Sequence, residues 1–335
     1  MKGTPYKILE EIKQKKYHPV YFLYGEEPYF IDQVTEAMIQ NVLTEEEKAF
    51  NQHIFYGKDT TASTIADTAR RFPMMSEHQL VVVKEAQQLQ ELDSLSAYLE
   101  TPQPSTILVI CYKHKKPDRR KKIFQLFEEK SMAMESPKIR ENRIPEWIMR
   151  YCKEKGVATD VKSSTLLAES LGNDLEKIVN EIEKLLLVLP RENQRITPDL
   201  IEKYIGFSKE YNHYELNNAL SDRDVVKANR IIQYFCHNQN AFPIQVTLGY
   251  LYFYFSKLLI YHAVKKKSND EIARHLKVHP FFVTEYRKAS GFYSVHKIEE
   301  VISVLRDIDL KSKGFGSISA TPCDLLIELI YKIMH

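Results

Sequence analysis

The first 140 residues alternate short β-rich apolar runs with longer stretches of helical periodicity. The runs are PVYFLYG from Pro19, HIFYG from His53, LVVVKEA from Leu80, TILVICY from Thr106 and the weaker MAME from Met132. Between them, helical patterns cover roughly Tyr29 to Leu43, Thr60 to Arg71, Gln88 to Leu99 and Arg119 to Glu129. This alternation predicts a parallel sheet flanked by helices, and the uninterrupted LVVV and ILVI predict strands buried on both faces.

From Arg143 onward the β signal vanishes. IPEWIMRYCKEKG reads as an amphipathic helix ended by Gly156. Leu175, Ile178, Val179, Ile182, Leu185 and Leu186 follow at spacings of three and four, with Asp174 placed to cap them. This helical module ends near Ile205, and GFSKEYN is the expected linker to a third section of helices running to the C-terminus. The fold class expected is α/β plus all-α, with domains at 1–140, 141–207 and 208–335. YLYFYF from Tyr250 would project bulky side chains all round a helix, so it is read as the buried centre of a bundle. A stacking surface for bases is the alternative.

A chain of 335 residues suits two or three domains. The 47 basic against 45 acidic residues leave a net charge of +2, far from the excess of an autonomous nucleic-acid binder. Cys111, Cys152, Cys236 and Cys323 lie far apart, so neither a zinc site nor a disulfide framework is expected, and buried free thiols in a reducing cytosol are the reading. The N-terminus lacks the apolar core of a signal peptide. Phe242 to Val264 is interrupted by Pro243, Gln245, Thr247, Ser256 and Lys257, which is too polar for a membrane span. A cytoplasmic protein with no membrane partner is expected.

Candidate chemistry is sparse. YFLYGEEPYFID, from Tyr21, passes from strand to turn to helix where a nucleotide-binding α/β protein carries its phosphate loop. That loop needs glycines, a lysine and a hydroxyl, whereas this turn offers Gly25, Glu26, Glu27 and Pro28. Gly57-Lys58 fails the same test. No nucleophile-elbow, zinc-protease or deaminase motif is present, and no catalytic residue, cofactor or metal is expected. His275 and His279 are four apart, but Pro280 ends any helix that would pair them. The basic run YKHKKPDRRKK offers Lys113, Lys115, Lys116, Arg119 and Arg120 as contacts to DNA phosphates, with a solvated loop as the alternative. NDEIARHLKVHPFFVTEYRKA imitates a helix-turn-helix, yet Phe281 and Phe282 stand where a reading helix would place polar side chains. A helix-turn-helix DNA-binding protein is the alternative function.

FLYGEEPYFID, RFPMMSEHQLVVV, the region around Trp147, GNDLEKIVNEIEKLLL, YELNNAL, NDEIARHLKVHPFFV and DLKSKG occur in the order in which their counterparts occur in the delta subunit family of bacterial DNA polymerase III, which the chain resembles. The resemblance implies an AAA+-like domain with a degenerate nucleotide site, a three-helix lid module and a C-terminal helical collar. It implies a clamp-loader subunit without ATPase activity of its own, an accessory subunit of a DNA-directed DNA polymerase holoenzyme. The absence of a Ser-Arg-Cys tripeptide fits this. The implied partners are the sliding clamp (beta subunit), which the protein binds and opens for loading on primed DNA, the gamma or tau ATPase subunits, and delta-prime. The family's clamp contact maps onto RFPMMSEHQ, where Met74 and Met75, beside Phe72 and Pro73, occupy positions more often aromatic or leucine. The following Ser76, Glu77 and His78 predict an exposed turn; the alternative is that the methionines cap the sheet.

Overall fold

Five strands, β1 (Val20–Gly25), β2 (Gln52–Tyr56), β3 (Gln79–Lys84), β4 (Thr106–Lys113) and β5 (Met132–Glu135), form a parallel sheet ordered β2-β3-β4-β1-β5 in the computed structural model. The structure describes residues 2–190, 192, 194–316 and 320–335. Every apolar run of the first section has become a strand. The register sets Phe22 of β1 opposite Ile110 of β4 and Ala133 of β5. The helices around the sheet are α1 (Pro5–Lys13), α2 (Pro28–Asn41), α3 (Glu45–Asn51), α4 (Ala62–Ala69), α5 (Ser96–Glu100) and α6 (Lys122–Lys130).

Both faces of the sheet are covered. Phe22, Val81, Val83, Leu108 and Ile110 pack on one side with Ile65, Leu99, Phe124 and Phe127 from α4, α5 and α6. Tyr21, Leu23, Val82 and Val109 pack on the other with Ile8, Ile12, Ile31, Val34 and Met38 from α1 and α2. Uninterrupted apolar strands are what such a sandwich requires. Two helices, α1 and α3, have no counterpart in the hydrophobic reading. The helix expected over Gln88 to Leu99 is broken into 3-10 turns at Ala86–Gln88 and Leu92–Leu95 before α5. Its leucines, Leu89, Leu92 and Leu95, recur every third residue, which suits three residues per turn rather than 3.6.

The chain divides into two compact units, Met1–Ile139 and Arg140–His335. The second carries α7 (Ile144–Glu154), α8 (Val161–Leu171), α9 (Leu175–Val188), α10 (Pro198–Ile205), α11 (His213–Ser221), α12 (Val225–His237), α13 (Ile244–Val264), α14 (Asn269–Leu276), α15 (Val283–Phe292), α16 (Val295–Ser312) and α17 (Pro322–Met334). Two two-residue strands, β6 (Ala158–Thr159) and β7 (Arg195–Ile196), pair in parallel among them, a β element the sequence did not announce. Leu216, Ile231, Phe235, Leu251, Phe255, Leu258, Ile272, Ile298, Leu329 and Ile333 share one core from α11 to α17.

Polar contacts join α8 to this bundle. The side chains of Glu169 and His213 are both buried, with Nδ1 of His213 2.7 Å from the Glu169 carboxylate and Nε2 3.1 Å from the Thr247 hydroxyl. Tyr250 stacks on the imidazole. A carboxylate, imidazole and hydroxyl in this order resemble a catalytic triad, but Thr247 is wholly buried and no substrate can reach it. Nearby, Glu215 is held by Lys162 of α8 and Lys227 of α12, each at 2.6 Å.

Two sequence expectations are corrected here. α13 is not buried all round: Leu248, Leu251, Phe255 and Leu258 face the core, but Val246, Phe253 and Ile260 are exposed. The cysteines are not all free thiols, because Cys236 of α12 and Cys323 of α17 form a disulfide that spans 87 residues. A sequence without close cysteine spacing hides a pairing that only helix packing brings together. Cys111 and Cys152 remain free and buried, and burial pushes each thiol up to about 11.

Glu285 of α15 generates a prediction. Burial, with the negative charges of Asp222 and Glu215, pushes its carboxyl up to about 8 against the opposing charges of Lys257 and Lys288. The unfolded chain ionises near 4.3. The native state therefore binds the extra proton between these values, so stability is greatest at the acid end and is lost as pH rises towards 8. Glu285→Gln should raise the melting temperature at pH 8 by about 2–4 °C or more, equivalent to about 1 kcal/mol, and by less at pH 5. Equal shifts in calorimetric melts at both pH values would contradict this.

Candidate functional site

In parallel α/β sheets the usual ligand crevice lies beyond the carboxyl ends of the strands. Here that edge is occupied by the protein's own groups. Gly25 ends β1 with φ +147, and a Cβ there would lie 2.0 Å from the Ser136 carbonyl oxygen, so only glycine fits where the two segments cross. Ser136 N–H donates to the Tyr24 carbonyl at 2.7 Å, Glu27 N–H donates to the Ser136 carbonyl at 3.0 Å, and the Ser136 hydroxyl donates to the Glu27 carbonyl at 2.6 Å. The buried Glu27 then caps α2, its carboxylate accepting from Tyr29 N–H at 3.2 Å. The helix end that would receive a phosphate already holds a carboxylate.

The basic segment next to this edge is largely neutralised internally. Lys113 is buried, its ammonium 2.6 Å from Asp32 and 3.5 Å from Glu85, and its N–H donates to Gln87. Burial alone would lower the Lys113 pKa, but the Asp32 hydrogen bond and the charges of Asp32 and Glu85 outweigh it and hold it above the ordinary value. Lys113 therefore does not face solvent as the run YKHKKPDRRKK suggests, because strand alternation turns it inward. Lys116 pairs with Glu26, Arg119 with Glu128 and Glu135, and Arg120 with Asp118. Lys115 is exposed.

The loop between α4 and β3 has the opposite character. Phe72 is 78% exposed, Met74 61% and Met75 102%, with Pro73 half-buried between them. Three large apolar side chains thus stand exposed in one turn. Its base is closed by Gln79, whose side-chain amide donates to the Thr68 carbonyl at 2.7 Å. Its middle is held from α3: Asn51 Nδ2 donates to the Met74 carbonyl at 2.9 Å, and Met74 N–H donates to Asn51 Oδ1 at 2.7 Å. Glu47, one turn earlier, accepts from the Thr44 backbone N–H at 2.8 Å, and this bond holds its carboxyl below the usual range. Met75 has φ +53. The hydrophobic pattern missed α3, though Thr44-x-x-Glu47 is a capping box that announces its start.

The helix-turn-helix imitation resolves into α14, a 3-10 turn at Pro280–Phe282 and α15. Val283, Tyr286 and Ala289 of α15 are buried. His279 caps the 3-10 turn by accepting from Phe281 N–H, and His275 meets Lys267 instead of a second histidine. Among the described residues no cluster of His, Cys, Asp or Glu is placed to hold a metal, and no helix is long and apolar enough to cross a membrane. In the bundle, Val246, Gly249, Phe253, Ser256 and Ile260 share one stripe of α13, with Val246, Phe253 and Ile260 exposed.

Two family models match the chain: "DNA polymerase III, delta subunit" over residues 21–136, and "DNA polymerase III delta subunit, C-terminal domain" over residues 210–328. The DNA polymerase III subunit delta of Bacillus subtilis is 27% identical over 319 residues, 91% of each chain. The solved DNA clamp loader delta protein of Bacillus subtilis matches with a TM-score of 0.52 and 24% identity, over 98% of this chain and 99% of that one. The five-stranded parallel sheet and surrounding helices are thus the AAA+-like architecture of a clamp-loader delta protein. The chain belongs to the delta subunit family of DNA polymerase III, an accessory subunit of that polymerase.

Proposed function

We propose that this protein binds and opens the ring-shaped sliding clamp, the beta subunit, for loading on primed DNA, with Met74 and Met75 as the plug that enters the clamp and Phe72 and Pro73 beside them. The observation that carries this is the exposure of three large apolar side chains on a turn whose backbone is anchored. Flexible thioethers suit an adaptable contact. The gamma or tau ATPase subunits and delta-prime are the proposed partners, and the exposed stripe of α13 is the surface that meets them. Within the second unit, residues 141–207 serve as the lid module and 208–335 as the collar. The chain has no active site of its own, and contacts to primed DNA are made within the complex, with the exposed Lys115 among the basic candidates.

ATP is excluded by the Gly25–Ser136 crossing and the Glu27 cap. Calorimetry of the isolated chain with ATP and magnesium should show no binding heat, and micromolar affinity would refute this. For the clamp contact, full burial of a methionine-sized side chain contributes roughly 1.5–3 kcal/mol. Replacing Met74 and Met75 together by Ala should cost on the order of 2–4 kcal/mol of binding, or about 30-fold to several hundred-fold in affinity. The melting curve should not move, since both side chains are exposed. A large fall in melting temperature, or unchanged clamp affinity by surface plasmon resonance, would place the contact elsewhere. Phe253→Glu on α13 should abolish co-elution with the ATPase subunits while leaving clamp binding and melting intact; retained co-elution would move the assembly surface off α13.

A further inference from the structure

The loop from Arg70 to His78 has exposed apolar side chains, but its backbone is tied to buried groups. Asn51 is 1% exposed at the last turn of α3. Its amide is used completely along this turn: Nδ2 donates to the Met74 carbonyl at 2.9 Å and to the Glu47 carbonyl at 3.2 Å, while Oδ1 accepts from Met74 N–H at 2.7 Å. The side-chain amide thus engages both the N–H and the C=O of one residue, Met74, and fixes the two peptide groups on either side of its Cα. Aspartate would lose the donor, and alanine would lose both. Met75, the next residue, has φ +53, a conformation that long side chains seldom adopt unless the surroundings impose it. The imposed geometry turns Met75 fully outward, at 102% exposure, beside Met74 at 61%.

We propose that Asn51 is a positioning residue that holds the Met74–Met75 turn in its binding conformation before any partner arrives. This rests on the reading of Met74 and Met75 as the clamp contact. The arrangement divides the labour: side chains stay adaptable, while the backbone that aims them is fixed. A turn released from Asn51 would occupy the competent geometry only part of the time, and apparent affinity falls in proportion to that fraction.

The test uses the full-length chain and the organism's own sliding clamp on a plasmon surface. Asn51→Ala and Asn51→Asp are each made in the natural sequence and in the Met74→Ala, Met75→Ala background. Release of the turn to a competent fraction of about one tenth would weaken binding by about 10-fold for Asn51→Ala. With both methionines already replaced, the same change should alter the remaining affinity by less than about twofold, because there is no plug left to aim. Equal losses in both backgrounds would show that Asn51 acts on the fold at large and would overturn the inference. Normal loss on removing the methionines with no loss at Asn51 overturns this inference alone; no loss on removing the methionines overturns the clamp-contact reading as well. Hydrogen exchange on the unmodified chain decides the matter even where variants misfold: Met74 N–H should exchange slowly for a residue in so exposed a loop, and exchange at free-loop rates would overturn the proposal.

Discussion

The burial of the parallel sheet on both faces is the constraint from which the first unit follows. With β1 between β4 and β5 and apolar side chains above and below, helices must cover each face, α4 to α6 on one and α1 with α2 on the other. The central strands β1, β3 and β4 are committed to packing, so chemistry is left mainly to strand ends and the connecting loops. At the carboxyl edge the protein spends that freedom on self-closure, through Ser136, Glu27 and the Lys113–Asp32 pair. In the loop that enters β3 it spends it on exposing Phe72, Met74 and Met75.

The second unit follows a different rule at the place where α8 meets the bundle. Glu169, His213 and Thr247 make a directional chain, and Glu215 bridges lysines of α8 and α12. Apolar contacts tolerate sliding, whereas buried hydrogen bonds lose much of their energy when misaligned. The orientation of α8 on α11 and α13 is therefore specified as well as stabilised.

The strands of the first unit, the mainly helical character of the chain after Arg143 and the exposed turn at Met74 could be read from the sequence, because hydrophobic periodicity and turn chemistry report local demands. What escaped reading depended on partners distant in sequence. α3 has little apolar periodicity, and only its capping box betrays it; its Asn51 meets Met74 across 23 residues. Lys113 looked like part of a basic run until strand alternation and Asp32 drew it inward. Cys236 and Cys323 are joined only once α12 and α17 pack together. The exposed stripe of α13 was hidden by composition: a helix apolar all round in sequence has no moment to reveal which side lacks a neighbour.

The crossing at Gly25 also bears on the history open to this chain. A phosphate-binding turn could not be rebuilt here by one substitution, since Ser136 fills the space beside β1, Glu27 occupies the helix end and Lys113 is committed to two carboxylates. Each replacement alone would leave a buried partner unsatisfied and lower stability before any new ligand could compensate. The route back crosses several unstable intermediates, so the fold acts as a ratchet, and descendants of this sequence are free to vary their contact surfaces far more readily than to change their chemistry.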